Sequence, residues 1–146
     1  MNNKVVLAFS GGLDTSFCVP YLKEKGYEVH TVMVNTGGFS AEEEKAIESR
    51  ALALGAASHK NVNAVETYYT KGIKYLIYGN ILKNATYPLS VSSERVFQAL
   101  EVLKHVKELG AGAVAHGSTG AGNDQVRFDI VFEILAPEVK IIAPVR

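Results

Sequence analysis

One short segment holds most of the side chains that could bind a phosphate group. Residues 10–16 read Ser-Gly-Gly-Leu-Asp-Thr-Ser, with two glycines, three hydroxyls and one carboxylate. Gly11 and Gly12 can take positive φ and let the backbone approach a ligand closely. Thr15 and Ser16 fall where a following helix begins, and the unpaired amides and dipole of a helix start attract anions. The segment therefore predicts a pyrophosphate-binding turn.

The strands that must position this turn can be read from short apolar runs. Residues 4–9 are apolar and rich in β-branched side chains, which predicts a buried strand directly before the turn. The same reasoning predicts further strands over residues 29–34, 56–62, 113–116 and 140–143.

Helical segments alternate with these strands. The helix after the turn ends at Gly26, and Ser40 with Glu43 has the spacing of a capping box that opens a second helix to about Gly55. A third helix is predicted to begin at Asn63 or Thr67 and to end near Gly79. Residues 84–90 are predicted to form a loop, and a long helix after Ser93 is predicted to end at Gly110. The long helix is predicted to turn Val96, Leu100, Leu103 and Val106 inward, and the last helix, stopped by Pro137, carries Val126, Ile130 and Ile134 on one face.

Strands that alternate with helices predict an α/β fold, a parallel sheet flanked by helices on both faces. Ligands in such sheets bind beyond the carboxyl ends of the strands. The first, second and fourth predicted strands all end in polar, glycine-rich loops, of which the last spans residues 117–124. We therefore expect these three loops to face one cleft.

Composition limits the remaining possibilities. The chain has 146 residues, about one domain, and its 15 basic and 15 acidic side chains cancel. Neither a nucleic-acid-binding surface nor a membrane partner is expected from this balance. Cys18 is the only cysteine and is predicted to be a buried helix residue, so no disulfide is expected, and no histidine spacing indicates a metal site. These features favour a cytoplasmic protein.

Two stretches together carry a family resemblance. Residues 8–16 lack the Walker A ending and the G-x-G-x-x-G spacing, and they resemble the PP-loop of the ATP pyrophosphatases, which split ATP between its α- and β-phosphates. Residues 116–128 read His-Gly-Ser-Thr-Gly-Ala-Gly-Asn-Asp-Gln-Val-Arg-Phe, which closely resembles a long motif of argininosuccinate synthase. The resemblance covers the whole chain and implies the PP-loop ATP pyrophosphatase (adenine nucleotide alpha hydrolase-like) fold.

The resemblance also implies a reaction. The family ligates citrulline and aspartate to argininosuccinate through a citrulline adenylate, releasing AMP and pyrophosphate, in arginine biosynthesis, with ATP and Mg²⁺ as cofactors. Residues 1–146 would be the nucleotide-binding domain, with the family's synthetase domain and C-terminal oligomerisation helix absent from this chain. The full-length family protein is expected to be a homotetramer. The chain alone would supply the ATP site and part of the amino-acid sites, and we expect it to be inactive by itself.

The resemblance assigns roles to individual positions. Asp14 is the catalytic candidate, and no side chain is assigned to a protein-held metal. The expected ATP-binding residues are Ala8, Phe9, Ser10, Gly11, Gly12, Leu13, Asp14, Thr15, Ser16, Val34, Arg95 and Gly117. The expected aspartate-binding residues are Thr119, Asn123 and Asp124, and the expected citrulline-binding residues are Tyr87, Ser92, Asn123 and Arg127. His116 is expected to be held by backbone groups rather than to act in catalysis.

Among the departures from the family pattern, three change a charge or the start of a helix. Ala121 stands where a lysine is usual, Glu94 where the pattern has alanine, and Val96 where it has proline. Two other functions stay open on the sequence: a different PP-loop ATP pyrophosphatase, and a stand-alone nucleotide-binding module with no synthetase activity.

Overall fold

A parallel sheet forms the centre of the computed structural model, which describes residues 2–120 and 122–145. The strands, in chain order, are β1 (Lys4–Ala8), β2 (Glu28–Asn35), β3 (Ser58–Asn63), β4 (Leu82–Lys83), β5 (Tyr87–Pro88), β6 (Ala113–His116) and β7 (Lys140–Ile142). Five of them make the sheet in the order β3-β2-β1-β6-β7, with all neighbours parallel. The chain thus builds outward on one side of β1 and then crosses to its other side. The carboxyl ends of β1 and β6 flank this reversal, which is where open α/β sheets bind ligands.

The helices connect these strands. They are α1 (Leu13–Glu24), α2 (Ala41–Ala53), α3 (Val65–Tyr68), α4 (Lys74–Tyr78), α5 (Ser90–Leu109) and α6 (Asn123–Leu135), with a π-helical segment, Tyr69–Ile73, between α3 and α4. The predicted capping box is confirmed: the Glu43 amide donates to Ser40 Oγ at 3.3 Å, and the Ser40 amide donates to Glu43 Oε2 at 2.8 Å. The helix ends at Gly79 and Gly110 are confirmed as well, since each follows directly on the last helical residue.

Alternating residues of β1 bury the two faces of the sheet. Val5 and Leu7 pack with Cys18 and Leu22 of α1 and with Ile47 of α2. The opposite face is covered by α5 and α6, whose main buried side chains against Val6 are Val102, Leu103, Val106, Phe128 and Phe132. A parallel strand buried on both faces needs this continuous apolar pattern. The predicted α/β fold with helices on both faces is confirmed, and Cys18 is buried as predicted.

The structure corrects several predicted boundaries. The α5 helix begins at Ser90, so Ser93 lies in its first turn rather than before it. The α3 helix begins at Val65, between the two predicted starts: Asn63 is the last residue of β3, and its Oδ1 accepts the Val65 amide at 3.1 Å. The segment predicted as a loop contains β5, which pairs antiparallel with β4 in a short hairpin.

Two predicted apolar faces differ from the buried ones. Val126, Ile130 and Ile134 of α6 are 51%, 50% and 70% exposed, because the helix buries Phe128 and Phe132 instead. On α5, Val96 is exposed rather than inward. No helix in the described part of the chain is long and apolar enough to cross a membrane.

Candidate functional site

A cleft of about 1090 Å³ opens at the carboxyl ends of β1, β2 and β6. The loops that were predicted to face one cleft do so. Nearly all of the predicted site residues line it: Ala8, Phe9, Ser10, Gly12, Leu13, Asp14, Thr15, Val34, Tyr87, Ser92, Arg95, Gly117, Thr119, Asn123, Asp124 and Arg127. Gly11 and Ser16 are not among the residues that line the cleft.

The loop after β1 is held by its own hydroxyls. Ser10 Oγ lies 3.2 Å from Thr15 Oγ1 and accepts the Gly12 amide at 3.3 Å. The Ser16 amide makes the first helical hydrogen bond, to the Gly12 carbonyl at 2.9 Å. The amides of Leu13, Asp14 and Thr15 are therefore the unpaired donors of the α1 N-terminus, and these three residues line the cleft. This is the arrangement that binds phosphate at a helix start.

Gly11 has a supporting place in the same loop. Its φ is +74°, a conformation that favours glycine. Its carbonyl accepts a hydrogen bond from Arg50 Nη1 of α2, and a Cβ at this position would lie 2.9 Å from Ile47 Cγ1. Gly11 thus fixes the path of the loop against α2 rather than facing the cleft.

The second glycine-rich loop packs directly on the first. Ala8 of β1 pairs in register with His116 of β6, so both loops leave neighbouring strands at the same level. A Cβ on Gly117 would lie 2.9 Å from Thr15 Cγ2 and 3.2 Å from the Thr15 amide nitrogen. Only a residue without a side chain allows this approach, and it brings the two loops into one site.

His116 anchors the start of the second loop. The Ser118 amide donates to His116 Nδ1 at 3.2 Å, so in the neutral ring Nε2 carries the proton and donates to Asp129 Oδ1 at 3.0 Å. The ring is buried and stacks on Phe128 at 5.5 Å between centroids. One of the two hydrogen bonds of the ring is to the expected backbone group, and the other is to the side-chain carboxylate of Asp129.

A network of charged side chains lines part of the cleft. Asp124 bridges two arginines: Arg95 Nε donates to its Oδ2 at 3.0 Å, and Arg127 Nη1 donates to its Oδ1 at 2.6 Å. Arg127 Nη2 also donates to Ser92 Oγ at 3.0 Å. One carboxylate and two guanidinium groups are thus presented together, the chemistry that recognises zwitterionic ligands.

The arginines set the ionisation of Asp124. Partial burial by itself raises the pKa of this carboxyl, but the hydrogen bond and charge of Arg95, followed by those of Arg127, outweigh it. The pKa of Asp124 therefore lies below its ordinary value, and the carboxylate stays ionised at neutral pH.

Comparison with known proteins identifies the family that carries these two loops. The family model for the arginosuccinate synthase N-terminal HUP domain matches residues 4–146. The chain belongs to the argininosuccinate synthase family. It is 49% identical over 142 residues to argininosuccinate synthase of Xanthomonas axonopodis pv. citri, covering 97% of this chain and 34% of that relative. It is 47% identical over 144 residues to the Hyperthermus butylicus enzyme, covering 98% and 36%. The chain spans about a third of the length of these relatives.

Solved structures show the same fold at low sequence identity. A predicted subunit of a tRNA methyltransferase from Methanocaldococcus jannaschii has a TM-score of 0.62 at 20% identity, covering 97% of this chain and 67% of that one. NMN synthetase from Francisella tularensis has a TM-score of 0.62 at 8% identity, covering 81% and 46%. With the family match, this confirms the predicted PP-loop ATP pyrophosphatase fold.

Some lining residues were not predicted as ligand contacts. Glu94 lines the cleft, although the sequence marked it only as a departure from the family pattern. Lys83 lines it from the β4–β5 hairpin, a position for which the sequence held no signal. Ala121, the third departure, lies outside the described residues. Among those that are described, no group of three or more histidine, cysteine, aspartate or glutamate side chains could hold a metal ion.

Proposed function

We propose that this chain provides the nucleotide site of an argininosuccinate synthase, which ligates citrulline and aspartate at the expense of ATP. The observation that carries the proposal is the direct packing of Gly117 on Thr15, which joins the phosphate-binding turn and the family-specific loop into one cleft. Citrulline would be activated as its adenylate with release of pyrophosphate, and the aspartate amine would then displace AMP. The protein would serve cytoplasmic arginine biosynthesis.

The donors of the phosphate-binding turn suit a triphosphate. Ser10 and Thr15 offer hydroxyls and the α1 N-terminus offers amides, all on residues that line the cleft. Val32, Met33 and Val34 line the same cleft from β2, and an apolar strand end next to a phosphate site suits an adenine ring. We assign the ATP phosphates to the turn and the base to the end of β2.

Mg²⁺ fits this site as a companion of the nucleotide. Magnesium is commonly held by one or two carboxylates together with substrate phosphates and water. Asp14 is the carboxylate within the phosphate-binding turn and lines the cleft. We propose that Asp14 contacts the metal that ATP brings, which would neutralise charge that builds up as pyrophosphate leaves.

The charged network suits the two amino-acid substrates. Asp124 lies on the first turn of α6 and Arg127 on the next, and the two present opposite charges to the cleft. Ser92 and Tyr87 also line the cleft, as do Thr119 of the second loop and Asn123, the first residue of α6. We propose that Arg127, Ser92, Tyr87 and Asn123 contact citrulline and that Thr119, Asn123 and Asp124 contact aspartate. In the full-length family protein further contacts would come from a synthetase domain, within a homotetramer. We therefore expect the 146-residue chain to bind ATP without turning it over at a useful rate.

Calorimetric titration with ATP and Mg²⁺ tests the nucleotide assignment. A hydrogen bond to a charged phosphate is worth about 1.5–3 kcal/mol, so Ser10→Ala should weaken ATP binding by about ten- to a hundredfold. Ser49→Ala is the matched control, because the Ser49 hydroxyl donates to the Lys45 carbonyl within α2 and has no part in the cleft. Equal ATP affinity in the wild type and Ser10→Ala would refute the assignment.

A further inference from the structure

Three carboxylates line the cleft, those of Asp14, Glu94 and Asp124. The Glu94 carboxylate lies on the first turns of α5 and lines the cleft. Its Oε2 accepts from Arg95 Nη1 at 3.1 Å, and its Oε1 accepts from Thr36 Oγ1 at 2.5 Å and from Gln98 Nε2 at 3.4 Å. Glu94 therefore links α5 to Thr36, the residue that follows β2.

Glu94 binds the Nη1 nitrogen of the Arg95 guanidinium. Arg95 Nη1 donates to Glu94 and also to Gln98 Oε1 at 3.1 Å, while Nε donates to Asp124. Within the described chain, Nη2 is the Arg95 nitrogen that has no hydrogen-bond partner. A phosphate or carboxylate binds an arginine best through two adjacent nitrogens. Nη2 can form such a pair with Nη1 or with Nε. Nη1 is already bonded to the Glu94 carboxylate, and Nε is already bonded to the Asp124 carboxylate.

We infer that Glu94 is a resident counter-ion for Arg95, which an anionic ligand group must displace to bind the end of that guanidinium. Glu94 would thus be a specificity-determining residue that lowers the affinity of the cleft for polyanions. The inference rests on the proposed nucleotide site, because ATP is the anion whose phosphates Arg95 would meet. When a ligand phosphate takes Nη1 and Nη2, the Glu94 carboxylate keeps its hydrogen bond from Thr36 and loses only the ion pair.

The variant Glu94→Gln tests the inference with little change of shape. Its amide oxygen can still accept from Thr36, while the negative charge opposite Arg95 is gone. A partly exposed ion pair of this kind is worth up to about a fivefold change in affinity, so Glu94→Gln should bind ATP with Mg²⁺ about two- to fivefold more tightly than the wild type at low salt. The gain should fade at high salt, because screening weakens the competition.

A double-mutant cycle shows whether the gain passes through Arg95. In an Arg95→Gln background, Glu94→Gln should leave ATP affinity unchanged. Glu133→Gln is the matched control for net charge, since Glu133 is exposed on α6 and lies about 15 Å of helix rise from the start of that helix at the cleft. The Glu133→Gln variant should bind ATP with the same affinity as the wild type.

The outcomes separate this inference from the proposed function. If the wild type binds ATP but Glu94→Gln binds it equally or more weakly, the inference is refuted and the nucleotide site stands. A gain that persists without Arg95 also refutes it. If neither the wild type nor Glu94→Gln binds ATP, the proposed nucleotide site itself is refuted, and the inference falls with it.

Discussion

Replacing Gly117 with alanine tests the contact that joins the two loops of the cleft. The added Cβ would lie 2.9 Å from Thr15 Cγ2, 3.2 Å from the Thr15 nitrogen and 3.4 Å from the Asp14 carbonyl carbon. Two of these atoms are backbone. The Thr15 methyl is also restrained, because its hydroxyl contacts Ser10 Oγ at 3.2 Å and the Gly12 carbonyl at 3.3 Å. The α1 N-terminus must therefore shift by several tenths of an ångström to accept the new atom.

The cost follows from overpacking, which typically destabilises a protein by about 1–3 kcal/mol. Replacing glycine by alanine also restricts the unfolded chain, which returns about 0.4–1 kcal/mol. We expect Gly117→Ala to lower the free energy of unfolding by about 1.3 kcal/mol, the difference between the midpoints of these two ranges. Gly38→Ala is the matched control: Gly38 lines the same cleft, and a Cβ there has no atom within 4 Å.

Urea denaturation of the two variants and the wild type measures the difference. Gly38→Ala should be as stable as the wild type or gain up to about 1 kcal/mol, whereas Gly117→Ala should be clearly less stable. If Gly117→Ala proved as stable as Gly38→Ala, the close packing of the second loop on the phosphate-binding turn would be wrong.

Three further predictions follow from the protonation and capping of single residues. Burial, with a smaller effect from the Asp14 carboxylate, raises the pKa of Cys18 to about 11. At pH 8 the native thiol should therefore react with a disulfide reagent only as fast as the protein unfolds locally, and rapid labelling would contradict this. The pKa of Asp124 is lower in the folded protein than in the unfolded chain. The stability advantage of the wild type over Asp124→Asn should therefore be complete above the ordinary pKa of ~3.9 and shrink as the pH falls through the lower folded value. A difference in unfolding free energy that stays constant down to pH ~2 would contradict this. Ser40→Ala removes the acceptor for the Glu43 amide and should cost about 1 kcal/mol in urea denaturation, and an unchanged midpoint would show that the capping box contributes nothing.

The sheet and the position of the site could be predicted because both depend on local patterns. The apolar run of β1 and the glycine-rich turn after it indicate that a strand ends there and a helix begins. Parallel strands bring their carboxyl ends to one edge, so the polar loops after β1, β2 and β6 had to meet. This is why nearly all of the predicted site residues line one cleft.

Features that depend on tertiary packing could not be read in the same way. Val126, Ile130 and Ile134 repeat at helical spacing, but Phe128 and Phe132 on the other face of α6 fill the space against β1 and β6 better, and the stripe stays exposed. Ser16 has the residue type of a phosphate ligand, yet it does not line the cleft, whereas Leu13, Asp14 and Thr15 of the same helical turn do.

The ion-pair partners of the charged side chains in the cleft could not be predicted from the sequence either. Glu94 stood out as an added charge, but its contacts with Thr36 and Arg95 depend on how α5 lies against the end of β2. Sequence separation of 58 residues between Glu94 and Thr36 leaves no local signal for such a pair.

The central claim is that the phosphate-binding turn and the family-specific loop bind one nucleotide together. The most direct measurement is the titration of the isotopically labelled chain with ATP and Mg²⁺, followed through backbone amide chemical shifts. The account predicts that the largest shifts occur both in residues 10–16 and in residues 117–124, with the same apparent affinity at both places, while the exposed end of α6 around Glu133 stays unchanged. Shifts confined to one of the two loops, or centred outside the cleft, would contradict it.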